Sequence, residues 1–110
     1  MAETLKRLGG RADAGAADKE LFITSATETA VVSSIAVCNR GGTNRTFNLA
    51  HVDGALGAVA TGDYFVFEQA ILANSSQFFQ LGITMGASDT ILCRSNSNDV
   101  TFIAWGSIIA

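Results

Sequence analysis

The 110-residue chain has no proline, one histidine, one tryptophan, one tyrosine and two cysteines, and only 15% of its residues are charged. Each scarcity closes a class of function. One histidine and two cysteines 55 positions apart make no zinc constellation. The charged fraction lies below the roughly 25% usual for soluble domains, so part of the surface is expected not to face water. A net charge of -3 offers no basic footprint for phosphate neutralisation, and nucleic acid is not an expected partner. The longest uncharged apolar run, Val100 to Ala110, has about half the roughly 20 residues of a spanning helix and is β-rich, so no membrane partner is expected. Lys6 and Arg7 are followed by no apolar segment and residue 2 is Ala, so neither a secretory signal nor myristoylation is indicated. The absence of proline is compatible with a strand-rich fold and decides nothing.

What is present is mostly strand. Thr29 to Val52 is the organising stretch: Ala30 to Cys38 is dense in β-branched residues, and Asn39 to Asn44 supplies residues that tolerate positive φ. Thr46 to Val52 then alternates, with Phe47, Leu49 and His51 on one face. This predicts two strands joined as a hairpin and covered by a second layer, since a hairpin alone is marginal in water. Further strands are predicted at Glu20 to Thr24, Asp63 to Glu68 with an extension over Ala70 to Leu72, the alternating stretch Ser76 to Leu81 followed by Gly82 to Met85, Thr90 to Ser95 and Val100 to Gly106. Asp53 to Gly62 is weakly patterned and expected to be irregular. Seven or eight short strands with a turn about every ten residues predict an all-β antiparallel sandwich, jelly-roll or immunoglobulin-like, over residues 20–110.

Met1 to Lys19 stands apart. It has three glycines, five alanines and no periodic apolar stripe beyond Leu5 and Leu8, so it is expected to be an extended arm. Ordering such an arm at about 1–2 kcal/mol per residue would need roughly 20–40 kcal/mol of contacts, expected from a neighbouring molecule. Leu5, Lys6, Arg7, Leu8 and Arg11 are its candidate partner-binding residues.

No residue pattern carries catalysis. His51 precedes Asp53, but residues two apart in a strand project in parallel, and no nucleophile follows in a strained elbow. Gly41-Gly42 lacks any phosphate-loop context, and the triplets Asn44-Arg45-Thr46 and Asn74-Ser75-Ser76 mean nothing without secretion. The seven phenylalanines, with Tyr64 and Trp105, are expected mainly in the core. Trp105 follows Cys93 where an immunoglobulin domain places it between its cysteines. Cys38 and Cys93 are therefore expected as reduced, buried thiols. Neither enzymatic activity nor a cofactor is expected.

Thr29-Ala30-Val31-Val32-Ser33-Ser34-Ile35-Ala36-Val37-Cys38-Asn39, a Gly/Thr turn and Thr46-Phe47-Asn48-Leu49-Ala50 resemble small β-sandwich virion proteins of tailed bacteriophages. Asp63-Tyr64-Phe65-Val66-Phe67, Leu81-Gly82-Ile83-Thr84-Met85-Gly86-Ala87-Ser88-Asp89-Thr90-Ile91 and Phe102-Ile103-Ala104-Trp105-Gly106 fit the same pattern, so the resemblance spans about Leu21 to Ile109. The chain departs from the pattern in lacking its prolines and in placing His51 where valine is usual. The resemblance implies a virion structural protein. The first expectation is a capsid decoration (cement) protein, a trimer or dimer on the major capsid protein. The alternative is a tail, neck or fibre module that presents Asp53 to Gly62 and Asn96 to Asp99 to a host glycan. Ile108-Ile109-Ala110 is expected to form an exposed apolar edge that an assembly covers.

Overall fold

The computed structural model describes residues 3–110 as eight strands: β1 (Glu3–Arg11), β2 (Lys19–Ile23), β3 (Thr29–Asn39), β4 (Arg45–Val52), β5 (Tyr64–Ile71), β6 (Ser76–Met85), β7 (Thr90–Ser95) and β8 (Val100–Ile109). They form two four-stranded sheets, ordered β1-β8-β3-β6 and β2-β7-β4-β5, with every neighbouring pair antiparallel. Of the sequence-adjacent strands, β4 and β5 alone are paired in a ladder; each other connection carries the chain from one sheet to the other. That order is an eight-stranded jelly roll, the sandwich that two interleaved Greek keys produce.

The stretch read as a hairpin is therefore two strands in different sheets. β3 lies between β8 and β6, whereas β4 lies between β7 and β5. Reversal occurs at the expected Gly/Asn stretch, although none of its residues adopts a positive φ, and the turn spans the sandwich. Asn39, fully buried, fastens it: Nδ2 donates to Thr43 O at 2.8 Å and Ile71 O at 3.2 Å, and Oδ1 accepts from Gly41 N at 3.0 Å. Asn39→Ala strands these groups and is expected to cost about 2–3 kcal/mol. A urea midpoint that falls with an unchanged slope would report that loss.

Alternation fills the space between the sheets. Val32, Ile35 and Val37 of β3 and Phe102 and Ala104 of β8 face Leu49 of β4 and Ile91 and Cys93 of β7, all fully buried. At the centre Phe47 meets Phe79 and Phe102 edge-on, with ring centroids 6.0 and 6.1 Å apart. The expectation of core aromatics holds for these rings but not for Phe65, Phe67, Phe78 and Trp105, which are 37%, 65%, 75% and 36% exposed.

The N-terminal segment departs most from its reading as an arm. Glu3–Arg11 is an edge strand of the domain's own sheet, in register with β8 from Glu3 opposite Ile109 to Arg11 opposite Phe102. Met1 and Ala2 lie outside the described residues. The contacts sought in a neighbour come instead from β8 backbone and from Leu8, which packs against the core. Glycine marks a close crossing here rather than disorder: a Cβ on Gly9 would collide with the carbonyl of Leu21 in β2. Since β1 takes one side of β8 and β3 the other, the C-terminal strand is interior, and Ile108 and Ile109 are half-buried. The exposed edge expected there does not exist; the sheet's edges are β1 and β6.

Candidate docking face

The two sheets differ in what covers their outer faces. Outside β4 and β7, the buried side chains Ala50, Val52 and Leu92 form a second apolar cluster under Leu56, Val59 and Tyr64. The segment expected to be irregular, Asp53 to Gly62, does this with two single turns of 3-10 helix, Leu56–Ala58 and Thr61–Asp63. Asp63 Oδ2 accepts from Ala60 N at 2.8 Å and closes the second turn. The chain thus covers part of one sheet with its own loop.

Among the described residues the opposite sheet has no such cover. Its register sets outward side chains in rows across the strands: Leu5, Ser107, Val31 and Thr84; then Arg7, Trp105, Ser34 and Gln80; then Gly10, Ile103, Ala36 and Phe78; then Thr101, Cys38 and Ser76. Arg7 is the one charged residue within these rows, its guanidinium over Gly10, and Arg40 Nε donates to Thr101 Oγ1 at 2.7 Å at the end of the fourth. Leu5 is 79% and Phe78 75% exposed, with Trp105 and half-buried Ile103 and Ala36 between them. A nearly uncharged, apolar and small-residue face on a four-stranded sheet has the composition of an interface centre.

Of the five candidate partner residues, Leu5 and Arg7 lie on this face. Lys6 is exposed, whereas Leu8 belongs to the core. Arg11 is engaged within the chain: Nε donates to Asp13 Oδ1 at 2.6 Å and Nη1 to Glu20 O at 2.7 Å. The hydrogen bond to Asp13 raises the Arg11 pKa above its usual value, and the same bond holds the Asp13 carboxyl below its own. That bond favours the folded state above the ordinary carboxylate range and is lost as pH falls through the depressed folded value, although Asp13 is exposed and the effect is small.

His51 pairs with Asp89 rather than Asp53. Its Nε2 is 3.0 Å from Asp89 Oδ2, which also accepts from Gly86 N at 2.9 Å. Asp89 N donates to Thr24 Oγ1 at 2.9 Å, and Thr24 Oγ1 donates to Gly86 O at 2.6 Å. Thr24 thus locks the β6–β7 turn onto the end of β2, and the His51–Asp89 contact ties it to β4. A cleft of about 490 Å³ opens beside His51, with Asp53, Tyr64, Leu81 and Ile83 in its wall. Among the described residues its wall holds no cysteine, serine or threonine. Among the described residues no three His, Cys, Asp or Glu side chains gather as a ligand set, and no helix is long and apolar enough to cross a membrane.

The two loops considered for glycan presentation spend much of their capacity internally. Leu56 and Val59 are half-buried, packed on the Ala50, Val52 and Leu92 cluster of β4 and β7. In the other, Asp99 Oδ2 lies 3.1 Å from Arg45 Nη2, Asn98 Oδ1 accepts from Gly15 N at 2.9 Å, and Asn96 Oδ1 accepts from Thr46 N at 3.2 Å.

Both cysteines are free thiols. Cys93 is fully buried, and desolvation pushes its thiol up to about 12. Cys38 is half-buried on the open face. In the folded free protein at about pH 8, a thiol reagent is expected to modify one group per chain, Cys38, and to reach Cys93 only after unfolding. Mass spectrometry of the labelled peptides checks this.

No family model matches the sequence, and no curated protein matches it. Among solved structures, the chain is similar to one in the structure of infectious bursal disease virus Gx strain, with a TM-score of 0.43 and 8% identity. The alignment covers 96% of this chain and 29% of that one, so the chain spans under a third of that protein's length.

Proposed function

We propose that this protein is a structural protein of a tailed-phage virion, and specifically a capsid decoration protein that docks on the outside of the major capsid shell. The observation that carries this reading is the uncovered outer face of the β1-β8-β3-β6 sheet, with Arg7 as its one charged side chain in the rows that cross it. Two further features support it. The Thr29 to Ala50 stretch resembles virion sandwich proteins, and the jelly roll is a fold that viral capsid domains use, as do lectins and cupins.

The mechanism is mechanical rather than catalytic and uses no cofactor. Four strands about 4.8 Å apart and ten residues long at about 3.4 Å per residue offer roughly 650 Å² to a partner. Counted on both sides, that is about 1,300 Å², within the range of stable specific interfaces. A site that exists only when capsid subunits are assembled makes each bound copy favour the assembled shell by mass action. The decoration unit is a homo-oligomer, dimer or trimer, on the capsid surface, and neither nucleic acid nor membrane takes part. With β1 held in the sheet, the N-terminal residues contribute Leu5 and Arg7 to the face rather than a long reach.

Copy number in purified particles, with heads and tails separated, tests the location. Hundreds of copies in the head fraction are the expected result. A handful, or a multiple of six or twelve, in the tail fraction would overturn decoration and favour the tail or neck module.

A further inference from the structure

A second cleft, of about 250 Å³, lies on the outer face of the β2-β7-β4-β5 sheet, at the end that the covering loop leaves free. Three strands bring its polar groups together. Asn48 of β4 stands opposite Arg94 of β7 in register, and on the other side β5 carries a bulge between the pairs Phe47–Gln69 and Leu49–Val66, so that Glu68 comes to Asn48. The Glu68 amide donates to Asn48 Oδ1 at 2.6 Å, which fixes the carboxamide orientation and turns Nδ2 the other way. Asn48 is only 7% exposed, yet among the described residues its Nδ2 donates to no protein group. Asn48 Nδ2 is therefore a donor open to the cleft and available to a ligand acceptor.

The backbone is strained at the same place. Glu68 and Ala16, both in the wall of this cleft, have φ of 50° and 60°. Left-handed backbone disfavours a residue with a Cβ, and a bulge of this kind usually has glycine there. Glu68 retains its side chain at the strained position and makes no ion pair among the described residues. Arg94 contacts Asp18 at 3.4 Å and is 45% exposed, so its guanidinium still has free donors. Strain kept where unpartnered polar groups converge points to a function at that site.

We infer that this cleft binds a single neutral saccharide residue. Glu68 only accepts hydrogen bonds, and Arg94 and Asn48 Nδ2 only donate, while Thr46 can do either. A sugar hydroxyl donates and accepts at once, so adjacent hydroxyls satisfy such a set. Glu68 repels an anion, and Arg94 repels a cation. The volume equals about eight waters, the scale of one ring rather than a chain. This site is on the sheet opposite the docking face, and the inference stands whether or not the virion reading does.

The test is titration of the ¹⁵N-labelled full chain with glucose, galactose, mannose and N-acetylglucosamine, with glucuronate and glucosamine as charged controls. At least one neutral sugar is expected to give saturable amide shifts at Ala16, Asn48, Glu68 and Arg94 to Asn96, with Kd about 1 mM. Glu68→Gln and Arg94→Gln, both at exposed side chains, are each expected to weaken binding about tenfold with the remaining spectrum unchanged. Glu68→Gly is expected to raise the melting temperature while binding is lost, because it removes the strained Cβ and the carboxylate together. No saturable shift with any neutral sugar, tighter binding of a charged control, or undiminished binding in both conservative variants would overturn the inference.

Discussion

Removal of residues 1–11 is expected to abolish the folded domain, not to release a soluble sandwich. The deletion takes away β1, whose register with β8 runs the length of that strand, and it removes Leu8 from the core and Arg11 from Glu20 O. Loss of a packed leucine alone costs about 2–5 kcal/mol, a large share of the roughly 5–15 kcal/mol by which domains are stable. What remains would expose the N–H and C=O groups of β8 beside Ile103, Trp105 and Ile109, an unprotected apolar edge. Far-ultraviolet circular dichroism and size-exclusion chromatography should show an unfolded or aggregated product. A monomeric truncated protein with a native strand signal and unchanged melting temperature would contradict the assignment of β1 to the sheet.

Ala36→Glu is expected to separate folding from assembly. Ala36 sits mid-face, between Ile103 on β8 and Phe78 on β6, and its side chain points away from the core row Ile35 and Val37. In the free protein the new carboxylate reaches water and stability should change by less than about 1 kcal/mol. In a docked complex the same carboxylate is buried without a partner, which costs several kcal/mol and should reduce affinity at least about 100-fold. Cosedimentation with shells stripped of the protein provides the comparison. Equal binding by Ala36→Glu and the unaltered chain would remove this face from the interface.

These expectations also show which features the sequence made legible. Strand positions were readable because alternation is local: Thr29–Asn39 and Arg45–Val52 fall within the stretch from which the reading began, and β6 and β7 lie where predicted. Strand partners were not readable. Reversal at Asn39 to Asn44 is encoded by residues that tolerate turns, but whether the next strand pairs with β3 or crosses to the other sheet depends on non-local register. For the same reason β8 read as a terminal edge although β1 and β3 flank it. Sparse apolar residues and glycine made Glu3–Arg11 look like coil. The purpose of Gly9, passage against Leu21 O, becomes visible only with β2 in place.

The sites were less legible than the fold. His51 and Asp89 are 38 positions apart, and no local spacing joins them. The docking face was hidden because outward residues of an interior strand, such as Ile103 and Trp105, alternate with core residues as apolar as themselves. The only advance sign was the low charged fraction, from which a surface that avoids water was expected without being located. The saccharide cleft gave no sequence signal, since a bulge at Glu68 and a register that pairs Asn48 with Arg94 exist only in three dimensions.

The central claim is that the β1-β8-β3-β6 face is covered in the particle, and Cys38 on that face is a built-in reporter. Intact particles and free protein should be treated with the same alkylating reagent, and the Cys38 peptide quantified by mass spectrometry against Cys93 as the buried control. The account predicts that Cys38 reacts in the free protein and is protected at least about tenfold in particles, with Cys93 unreactive in both. Equal reactivity of Cys38 in the two states would contradict it and move the docking surface elsewhere.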